Sequence, residues 1–467
     1  KGNPGICVGG LGSFGDSYLW IMTNFFSFLT GYLKNWDEAW YGEISRNMAS
    51  GQYGYLMPWW NGEYYFDKPP LYFWLTGGVM KVFGVGEWQA RLVAVSAGIA
   101  AVVFLYLFGK KLFGRLTGAL AVVVFLTMGQ VVTRFTEGDL DSLLIALFLG
   151  SLYFFVRSGS KRDQIISGVL LGLSALVKGY AISFFVVSLM MGLLKFKKLE
   201  IVGRWRVWLV AFISAGWWYL AGAVVYGKKF VDWYVFHPSA GNFGRWIPNL
   251  DNLYVMTVLR DTGMWMILSV IGLWVMHKSK IKIKKGREDM KVILTGVVLY
   301  FGAVHFMKER FDWYLLPIYP FVALLCALVI QKTFEMKRMV VVLIITVVAV
   351  TQICMIAERR IKDADRSEVG VALGQFAKET WKEGERVILA DRDFPAFLYY
   401  SDLKKVEVAV DGGGKKGEYW MVDSKSLGVL PDGKVLLVVP ANFPQPQGKL
   451  TGAVRGPYGY IFAHFGN

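Results

Sequence analysis

The sequence contains few of the residues that form metal sites and disulfide frameworks. Its 467 residues include three cysteines and four histidines. The cysteines are scattered without a CxxC pair, and the histidines show no metal-ligand spacing such as HxxxH. We therefore expect neither a disulfide scaffold, nor thiol catalysis, nor a zinc hydrolase.

Charged residues are also scarce. They make up 18% of the chain, whereas apolar residues make up 55%. Soluble domains contain about 25% charged residues, so this composition predicts a polytopic membrane protein. A formal net charge of +16 would favour nucleic-acid binding in a soluble protein. Here Lys and Arg cluster in short gaps between apolar runs, which is typical of cytoplasmic membrane loops, so we expect no nucleic acid as a partner.

The beginning of the sequence is poorly patterned. It starts at Lys1 rather than Met, and residues 1–16 are rich in glycine. We interpret it as a fragment or an uncertain start site. The basic region, apolar core and small-residue cleavage site of a secretory signal peptide are not evident.

Apolar segments of membrane-spanning length recur along the chain, and we count about eleven. Polar composition begins after residue 357, so we divide the chain into a membrane domain, 1–357, and a C-terminal domain, 358–467. The apolar segments lie at approximately 17–33, 90–108, 116–133, 140–156, 164–178, 180–194, 206–226, 257–276, 292–306, 313–331 and 339–357.

Basic residues predict the orientation of these segments. Lys and Arg cluster in five gaps that all fall on one side of the membrane, and the positive-inside rule makes that side cytoplasmic. We therefore predict a multi-pass protein of the plasma (inner, cytoplasmic) membrane. The first extracytoplasmic loop, 34–89, and the C-terminal domain then lie outside, and so does every charged group with a candidate chemical role.

The first outer loop is predicted to contain two interfacial helices. The first covers Asp37–Ser50 and stops at Gly51, and the second covers Leu71–Phe83, which is too short to span a membrane. We expect the first helix to lie along the membrane surface through its apolar stripe. That stripe consists of Trp40, Tyr41, Ile44 and Met48.

The C-terminal domain is predicted to be a small α/β domain. Its helices are expected at Val369–Lys382 and Phe394–Tyr400, and its short strands at Arg386–Ala390, Val406–Val410, Trp420–Val422 and Val435–Val439. About 110 residues suffice for a separate core. We find no catalytic motif in it, and interpret D-G-G-G-K-K as a turn because no helix follows.

Asp37 and Glu38 are adjacent carboxylates at a predicted helix start. Acidic residues favour the first turn of any helix because of the macrodipole, which is the structural interpretation. Beside a membrane-spanning segment, however, ionisable groups are costly and tend to be functional. These two interpretations have similar weight from physics alone.

Lys68 lies between Asp67 and two prolines. An interfacial lysine can simply extend its ammonium group to lipid head groups. Pro69 and Pro70 instead restrict Lys68 to extended conformations, and a rigidly presented cation at the outer interface suits a phosphate group.

Further charged side chains are predicted on the same outer face. Each alone is more often an interfacial anchor. Together with the acidic pair they predict a cavity with a carboxylate base and several cations, which suits attack on a sugar whose leaving group is a lipid phosphate. These side chains are Arg134, Asp139, Lys178, His237, Arg245, Lys308 and Arg310.

Two motifs in the first outer loop resemble those of a known superfamily. W-D-E-A-W-Y-G-E-I-S-R-N-M followed by Y-F-D-K-P-P-L-Y-F-W-L is similar to the signature of the GT-C glycosyltransferases, in particular the aminoarabinose transferases and protein O-mannosyltransferases. R-F-T-E-G-D-L-D-S-L-L, G-L-S-A-L-V-K-G-Y, N-F-G-R-W and R-F-D-W-Y-L-L-P-I-Y-P follow in the family's order, and the resemblance covers about residues 35–320.

This resemblance implies a mainly α, GT-C fold and an inverting, metal-independent transfer without cofactor. The donor would be a sugar on a polyprenyl monophosphate. By position, Asp37 matches the catalytic base, Lys68 and Arg245 match phosphate ligands, and Asp139 and Tyr314 match family residues. The predicted site therefore has Asp37, Glu38 and Asp139 as catalytic residues, with Lys68, Lys178, Arg245, Arg310 and Tyr314 binding the donor phosphate.

Three positions depart from the family pattern. The usual E-K-P-P is D-K-P-P at Asp67, K-G-P is K-G-Y after Lys178, and the usual lysine four residues before Tyr314 is Arg310. The first two changes fall beside Lys68 and Lys178, at the contacts that the resemblance implies, whereas the third keeps the charge.

Two other function classes compete with a glycosyltransferase. A transporter or flippase of lipid-linked saccharides would place its site near the bilayer midplane between repeats, whereas here the charges crowd one face and no repeat is evident. A catalytically inactive lipid-binding scaffold would have lost the carboxylate pair. The sugar, the polyprenyl length and the acceptor, whether a glycolipid, a protein or a cell-envelope polysaccharide, are all open.

Overall fold

The structure is a computed structural model in which helices predominate. It describes residues 31–179, 186–187, 189–191, 193, 203–236, 253–278, 287–307, 310–334, 346–347, 350, 368–390, 394–410, 421–423, 433–441, 443 and 447–466. The predicted apolar segments at 17–33, 180–194 and 339–357 lie wholly or largely outside these residues.

The helices of segment 34–89, which is predicted to be the first outer loop and is called the outer loop below, have the predicted bounds. Helix α1 covers Asp37–Ser50 and α2 covers Leu71–Phe83. Between them, β1 (Trp59–Trp60) and β2 (Glu63–Tyr64) form a short antiparallel hairpin. Gly51 ends α1 with a φ of 68°, a left-handed conformation that glycine adopts without steric cost.

The apolar stripe of α1 faces protein. Tyr41, Ile44 and Met48 are buried, and the ring centroid of Tyr41 lies 6.3 Å from that of Tyr72 and 5.6 Å from that of Phe73 in α2. The prediction that this stripe would lie along the membrane surface is therefore wrong, because α2 covers it. Helical spacing identifies the buried face but not the element that buries it.

The remaining helices of the membrane domain follow in chain order. They are α3 (Glu87–Leu112), α4 (Arg115–Leu126), α5 (Gly129–Thr136), α6 (Asp141–Arg157), α7 (Lys161–Lys178), α8 (Trp205–Val231), α9 (Leu253–Thr262), α10 (Met264–Lys278), α11 (Arg287–His305) and α12 (Tyr319–Phe334). A short π-helix, Asp232–Phe236, follows α8, and a 3-10 helix, Asp312–Ile318, precedes α12.

Within the described ranges, three helices are long and apolar enough to cross a membrane. Two bent pairs, α4 with α5 and α9 with the first part of α10, raise the number to five if each pair is one span. The predicted number of about eleven spans is therefore not confirmed. The three helices are Glu87–Leu112, Trp205–Tyr234 and Asp312–Lys332.

The segments predicted at 116–133 and 257–276 are bent rather than straight. The bend between α4 and α5 is 76°, and that between α9 and α10 is 88°. Gly263, with a φ of 45°, makes the second bend. At the first bend, Thr127 accepts a hydrogen bond from Trp265 Nε1 of α10 at 2.8 Å, so the two bends contact each other.

Small residues permit close helix packing beside the outer loop. A Cβ atom at Gly168 would lie 2.7 Å from the carbonyl oxygen of Val207, and one at Gly172 would lie 2.6 Å from that of Ala211. Helices α7 and α8 therefore approach through a Gly-x-x-x-Gly face, as is common between membrane helices.

The C-terminal domain is an α/β unit with one mixed sheet. Its helices and first four strands lie where the sequence predicts, but the last two strands were not predicted. The elements are α13 (Glu368–Thr380), β3 (Arg386–Leu389), α14 (Phe394–Ser401), β4 (Glu407–Val410), β5 (Met421–Asp423), β6 (Val435–Pro440), β7 (Lys449–Arg455) and β8 (Tyr460–Gly466). The order of the strands in the sheet is β5-β4-β3-β6-β8-β7. The pairs β5–β4, β4–β3 and β3–β6 are parallel, and the pairs β6–β8 and β8–β7 are antiparallel.

The C-terminal domain packs on the first outer loop. One buried apolar cluster combines residues of both regions, including Leu33 and Ala39 from the outer loop and Val371, Ala396 and Tyr399 from the C-terminal domain. Helix α14 supplies much of this contact with α1. The domain therefore lies against the helix that begins with Asp37.

Candidate active site

Asp37 is the first residue of α1, and its carboxylate is partly open to solvent. The side chain is 32% exposed, and Oδ2 accepts a hydrogen bond from Arg134 Nη1 at 2.8 Å. In the part of the chain that the structure describes, Oδ1 has no hydrogen-bond partner. Asp37 therefore has one held oxygen and one available oxygen, which suits a group that accepts a proton.

Trp36, immediately before Asp37, is held in an unusual backbone conformation. Its φ is 67° and its ψ is −124°, a region that side-chain-bearing residues rarely adopt and that costs roughly 1–3 kcal/mol. No side chain caps this helix start. The direction of the Asp37 side chain therefore depends on a strained residue.

Arg134 joins three parts of the chain at this position. Its guanidinium is buried in α5 and pairs with Asp139 as well as Asp37. Its Cζ also lies 4.3 Å from the ring centroid of Trp313, within the range of a cation–π interaction. Asp37 and Asp139, two of the predicted catalytic residues, therefore share one cation, Arg134.

Glu38 follows Asp37 in the first turn of α1 and is only 2% exposed. It accepts hydrogen bonds from Arg91 Nε at 2.6 Å and Nη2 at 2.9 Å, and from the backbone N–H groups of Lys34 and Gly138, both at 2.7 Å. Burial alone would raise the pKa of Glu38, but Arg91 and these hydrogen bonds outweigh it and lower the pKa. The two adjacent carboxylates therefore have different surroundings.

Lys68 lies close to Asp37 and Tyr314. Its Nζ is 2.5 Å from Asp67 Oδ2, which also accepts a hydrogen bond from Tyr65 at 3.1 Å. Burial opposes the charged form, but the pKa of Lys68 is raised, chiefly by Asp67 and then by Tyr314 and Asp37. Lys68 is therefore a held cation beside the candidate base, with a side chain that is 23% exposed.

Lys178, the last residue of α7, pairs with Asp141, the first residue of α6. The backbone N–H of Asp141 in turn donates to Asp139 Oδ1 at 2.9 Å. A Cβ atom at Gly179 would lie 3.8 Å from Pro69 Cγ, so the end of α7 lies beside the Lys68 segment. The structure thus connects Lys178 to Asp139 through Asp141, and places the end of α7 beside the segment that contains Lys68.

The segment that contains Arg310 and Tyr314 is fixed by α9 and α11. The Cζ of Arg310 lies 5.8 Å from the ring centroid of Tyr254. The hydroxyl of Tyr254 donates to the carbonyl of Phe311 at 3.1 Å, and that of Tyr300 donates to the carbonyl of Tyr314 at 2.9 Å. These bonds hold the 3-10 helix whose Trp313 stacks on the guanidinium of Arg134.

The buried Tyr41 shows how closely the acidic groups cluster. Burial raises the pKa of Tyr41, and the carboxylates of Asp37, Asp139 and Asp67 raise it further. These three carboxylates therefore act on one hydroxyl from different parts of the chain. Of the remaining predicted site residues, Arg245 lies outside the described residues, as do His237 and Lys308.

Three neighbours of the site were not singled out from the sequence. Arg91 binds Glu38, Asp141 binds Lys178, and Glu137 lies 2.7 Å from the Nζ of Lys34. Arg91 and Asp141 each stand at the start of an apolar run, where an ionisable group needs a partner. The positions of Arg91 and Asp141 in the sequence could therefore have identified both as candidates, but the sequence does not reveal which residue each one pairs with.

Comparisons with known proteins agree with this architecture. A family model described as dolichyl-phosphate-mannose-protein mannosyltransferase matches residues 67–219. An undecaprenyl phosphate-alpha-4-amino-4-deoxy-L-arabinose arabinosyl transferase from Proteus mirabilis is 24% identical over 345 residues, which are 68% of this chain and 60% of that protein. This chain therefore spans 60% of the length of that transferase, and it spans 66% of the length of a second curated relative.

Solved structures show the same fold. The crystal structure of ArnT from Cupriavidus metallidurans bound to undecaprenyl phosphate has a TM-score of 0.72 at 14% identity, covering 97% of this chain and 98% of that chain. Archaeal AglB from Archaeoglobus fulgidus, in complex with an inhibitory peptide and a dolichol-phosphate, has a TM-score of 0.55 at 13% identity, covering 84% and 65%. Together the matches confirm the resemblance to the GT-C glycosyltransferases that the motifs predict.

Proposed function

We propose that this protein is an inverting glycosyltransferase that uses a sugar linked to a polyprenyl monophosphate. The observation that carries the proposal is that Asp37 is held by Arg134 through one oxygen, has no partner at the other among the described residues, and belongs to the same charged cluster as the held cation Lys68, whose pKa it raises. ArnT bound to undecaprenyl phosphate and AglB in complex with a dolichol-phosphate support a lipid phosphate as the donor class. We place the reaction on the outer face of the cytoplasmic membrane, as the basic loops predict.

Asp37 acts as the general base in this proposal. Its Oδ1 takes the proton of an acceptor hydroxyl, and the acceptor oxygen then attacks the anomeric carbon from the face opposite the phosphate. The new carbon–oxygen bond forms as the bond to the phosphate oxygen breaks, so the configuration at that carbon inverts. Arg134 holds Asp37 in place through Oδ2 while Oδ1 accepts the proton.

Lys68 binds the departing phosphate in this proposal. The polyprenyl phosphate gains a negative charge as it leaves, and an ammonium group positioned there stabilises that charge. Lys178, whose neighbour Gly179 lies beside Pro69, supplies a second cation, and we propose that Arg245, Arg310 and Tyr314 complete the phosphate site. The proposal requires no metal, because these side chains provide the positive charge.

Glu38 has a positioning role in this proposal instead of the predicted catalytic one. Its oxygens are occupied by Arg91 and two backbone N–H groups, so it is buried away from a substrate. Asp139 likewise acts through Arg134. Neither carboxylate has the solvent access of Asp37.

A two-part experiment tests the function. Mass spectrometry of envelope lipids, proteins and polysaccharides from a deletion strain should show one missing sugar, which names donor and acceptor together. The purified protein in detergent should then transfer that sugar from its polyprenyl-phosphate donor. Detergent leaves no separate compartments, so transfer under these conditions distinguishes an enzyme from a flippase, which moves material between compartments and makes no new bond. Absence of any such transfer would contradict the proposal.

Lys68→Ala is expected to raise the KM for the donor at least about tenfold, because a charge-assisted phosphate contact contributes roughly 1.5–3 kcal/mol. Lys81→Ala is the matched control, since Lys81 is an exposed lysine of the same outer loop that bonds to Tyr55. Initial rates over a range of donor concentrations measure both. Equal effects of the two changes would mean that Lys68 is only an interfacial anchor.

A further inference from the structure

Helix α14 of the C-terminal domain binds the segment that leads into α1. The backbone N–H of Ala396 donates to Asn35 Oδ1 at 3.1 Å. The Tyr400 hydroxyl accepts from the backbone N–H of Leu33 at 2.8 Å and donates to Glu87 Oε1 at 3.1 Å. One helix of the C-terminal domain therefore holds residues that lie two and four positions before Asp37.

These bonds act on the strained residue of the site. Trp36 has a φ of 67°, and such conformations persist only where the surrounding structure enforces them. Trp36 as a whole is 47% exposed, so its own packing supplies little of that restraint. The bonds to Asn35 and Leu33 restrain it from the N-terminal side, and α1 restrains it from the other.

Helix α14 also fixes the position of α1 itself. A Cβ atom at Gly42 would lie 3.2 Å from the Tyr399 ring, so the two helices approach closely there. Arg46 donates to the Tyr399 carbonyl at 3.0 Å and lies 3.0 Å from Asp402 Oδ1. The start and the middle of α1 are thus both set by α14.

A separate contact docks the C-terminal domain on the β1–β2 hairpin. Asn61, in the turn of the β1–β2 hairpin, donates to the Val406 carbonyl at 2.9 Å and accepts from the Val406 N–H at 2.7 Å. This pair is buried. Docking of the domain therefore does not depend on the Tyr400 hydroxyl, and the two contacts can be tested separately.

We infer that Tyr400 is a positioning residue for Asp37, and that the C-terminal domain completes the active site by fixing the strained Leu33–Trp36 segment through that hydroxyl. The inference rests on the proposed function, because it assigns Tyr400 an effect on the general base. It gives the C-terminal domain a role in the chemical step itself. The hydroxyl acts through Leu33 and Trp36 and contacts no substrate.

Tyr400→Phe tests this inference, with Tyr399→Phe as its matched control. Both changes remove one hydroxyl from neighbouring residues of the same helix, and the Tyr399 hydroxyl is buried with no hydrogen-bond partner among the described residues. Tyr400→Phe should lower kcat about tenfold with the donor KM unchanged, because a misplacement of about 1 Å at a reacting group can cost on the order of 100-fold. Tyr399→Phe should leave kcat within about twofold of the unchanged protein, since it breaks no such bond.

A second measurement does not depend on activity. Amide hydrogen exchange of residues 33–37 should be faster in Tyr400→Phe and unchanged in Tyr399→Phe, because only the first loses the bond to the Leu33 N–H. Equal kcat and equal exchange in the two variants would overturn the inference. If the unchanged protein transfers no sugar, the proposed function fails, whereas the exchange result still decides whether Tyr400 holds this segment.

Discussion

Sugar transfer should be lost when Asp37 is replaced by asparagine, with kcat lowered on the order of 1,000-fold, as is typical when a general base is removed. Asparagine keeps the size of the side chain and an oxygen that can accept the hydrogen bond of Arg134. The change therefore removes basicity while the geometry is retained. Product formation under saturating donor measures the loss, and direct titration with the donor should show nearly unchanged binding.

A half-exposed carboxylate provides the control for this substitution. Asp232 lies 2.7 Å from Lys228 at the end of α8, away from Arg134, so Asp232→Asn should transfer at the normal rate. Full transfer by Asp37→Asn in purified membranes would contradict the mechanism. Loss of both transfer and donor binding would show that Asp37 holds the donor and is not the base.

The shared arginine explains why Asp37 can be both held and reactive. Arg134 divides its contacts between Asp37, Asp139 and the ring of Trp313. Asp139 therefore takes part of the attraction that Asp37 would otherwise experience alone. A base that is positioned by one oxygen keeps the other for the acceptor, which is the arrangement that proton abstraction needs.

Local patterns of the outer loop predicted its helices well. The bounds of α1 and its stop at Gly51 follow from acidic residues at the start, helical spacing of apolar residues and a glycine at the end. The helix α2 follows from a short apolar run after Pro70. Both are determined by near neighbours in the sequence, so a single chain suffices to predict them.

Long-range partners could not be predicted in the same way. Asp37 and Glu38 have the same chemistry and adjacent positions, yet one bonds to Arg134 and the other to Arg91. About 100° of helix rotation separates neighbouring side chains, and tertiary packing decides what each meets. The Tyr400 contact spans 367 positions of sequence, and no local pattern indicates it.

Bends in apolar segments were also missed. Hydropathy averages over a window and reports length, so Thr127 and Gly263 did not interrupt the predicted spans. The structure bends at both. The helix after the first bend, α5, carries Arg134 to Asp37, and α9, before the second bend, holds the 310–318 segment whose Trp313 packs on Arg134. The features that assemble the site are therefore those that hydropathy does not detect.

Glu38→Ala should destabilise the fold by about 3–5 kcal/mol, the range measured when one partner of a buried ion pair is removed. Arg91 would remain buried without its carboxylate, and two backbone N–H groups would lose their acceptor. Thermal unfolding of the purified protein measures the loss. Glu38→Ala combined with Arg91→Leu should recover part of it, since the unpaired charge is then gone.

The same carboxylate predicts a pH dependence. Burial opposes its charged form, but Arg91 and the hydrogen bonds outweigh burial, so the folded-state pKa of Glu38 lies below its ordinary value of 4.5. A lowered pKa stabilises the fold above the unfolded-state pKa, and this contribution is lost as the pH falls through the folded-state pKa. Below about pH 4.5 the unchanged protein should therefore lose stability more steeply than Glu38→Ala, which has no such group to protonate.

The Glu38→Ala variant also distinguishes a positioning role of Glu38 from a catalytic one. A positioning residue that holds α1 against α3 should lower stability and transfer together, and the Arg91 double variant should restore some of both. A Glu38→Ala protein with normal stability and no transfer would instead support the catalytic role that the sequence predicts. Glu38 has its oxygens bound inside the protein, whereas one oxygen of Asp37 has no partner among the described residues. We therefore expect the first result, with only Asp37 acting on the acceptor.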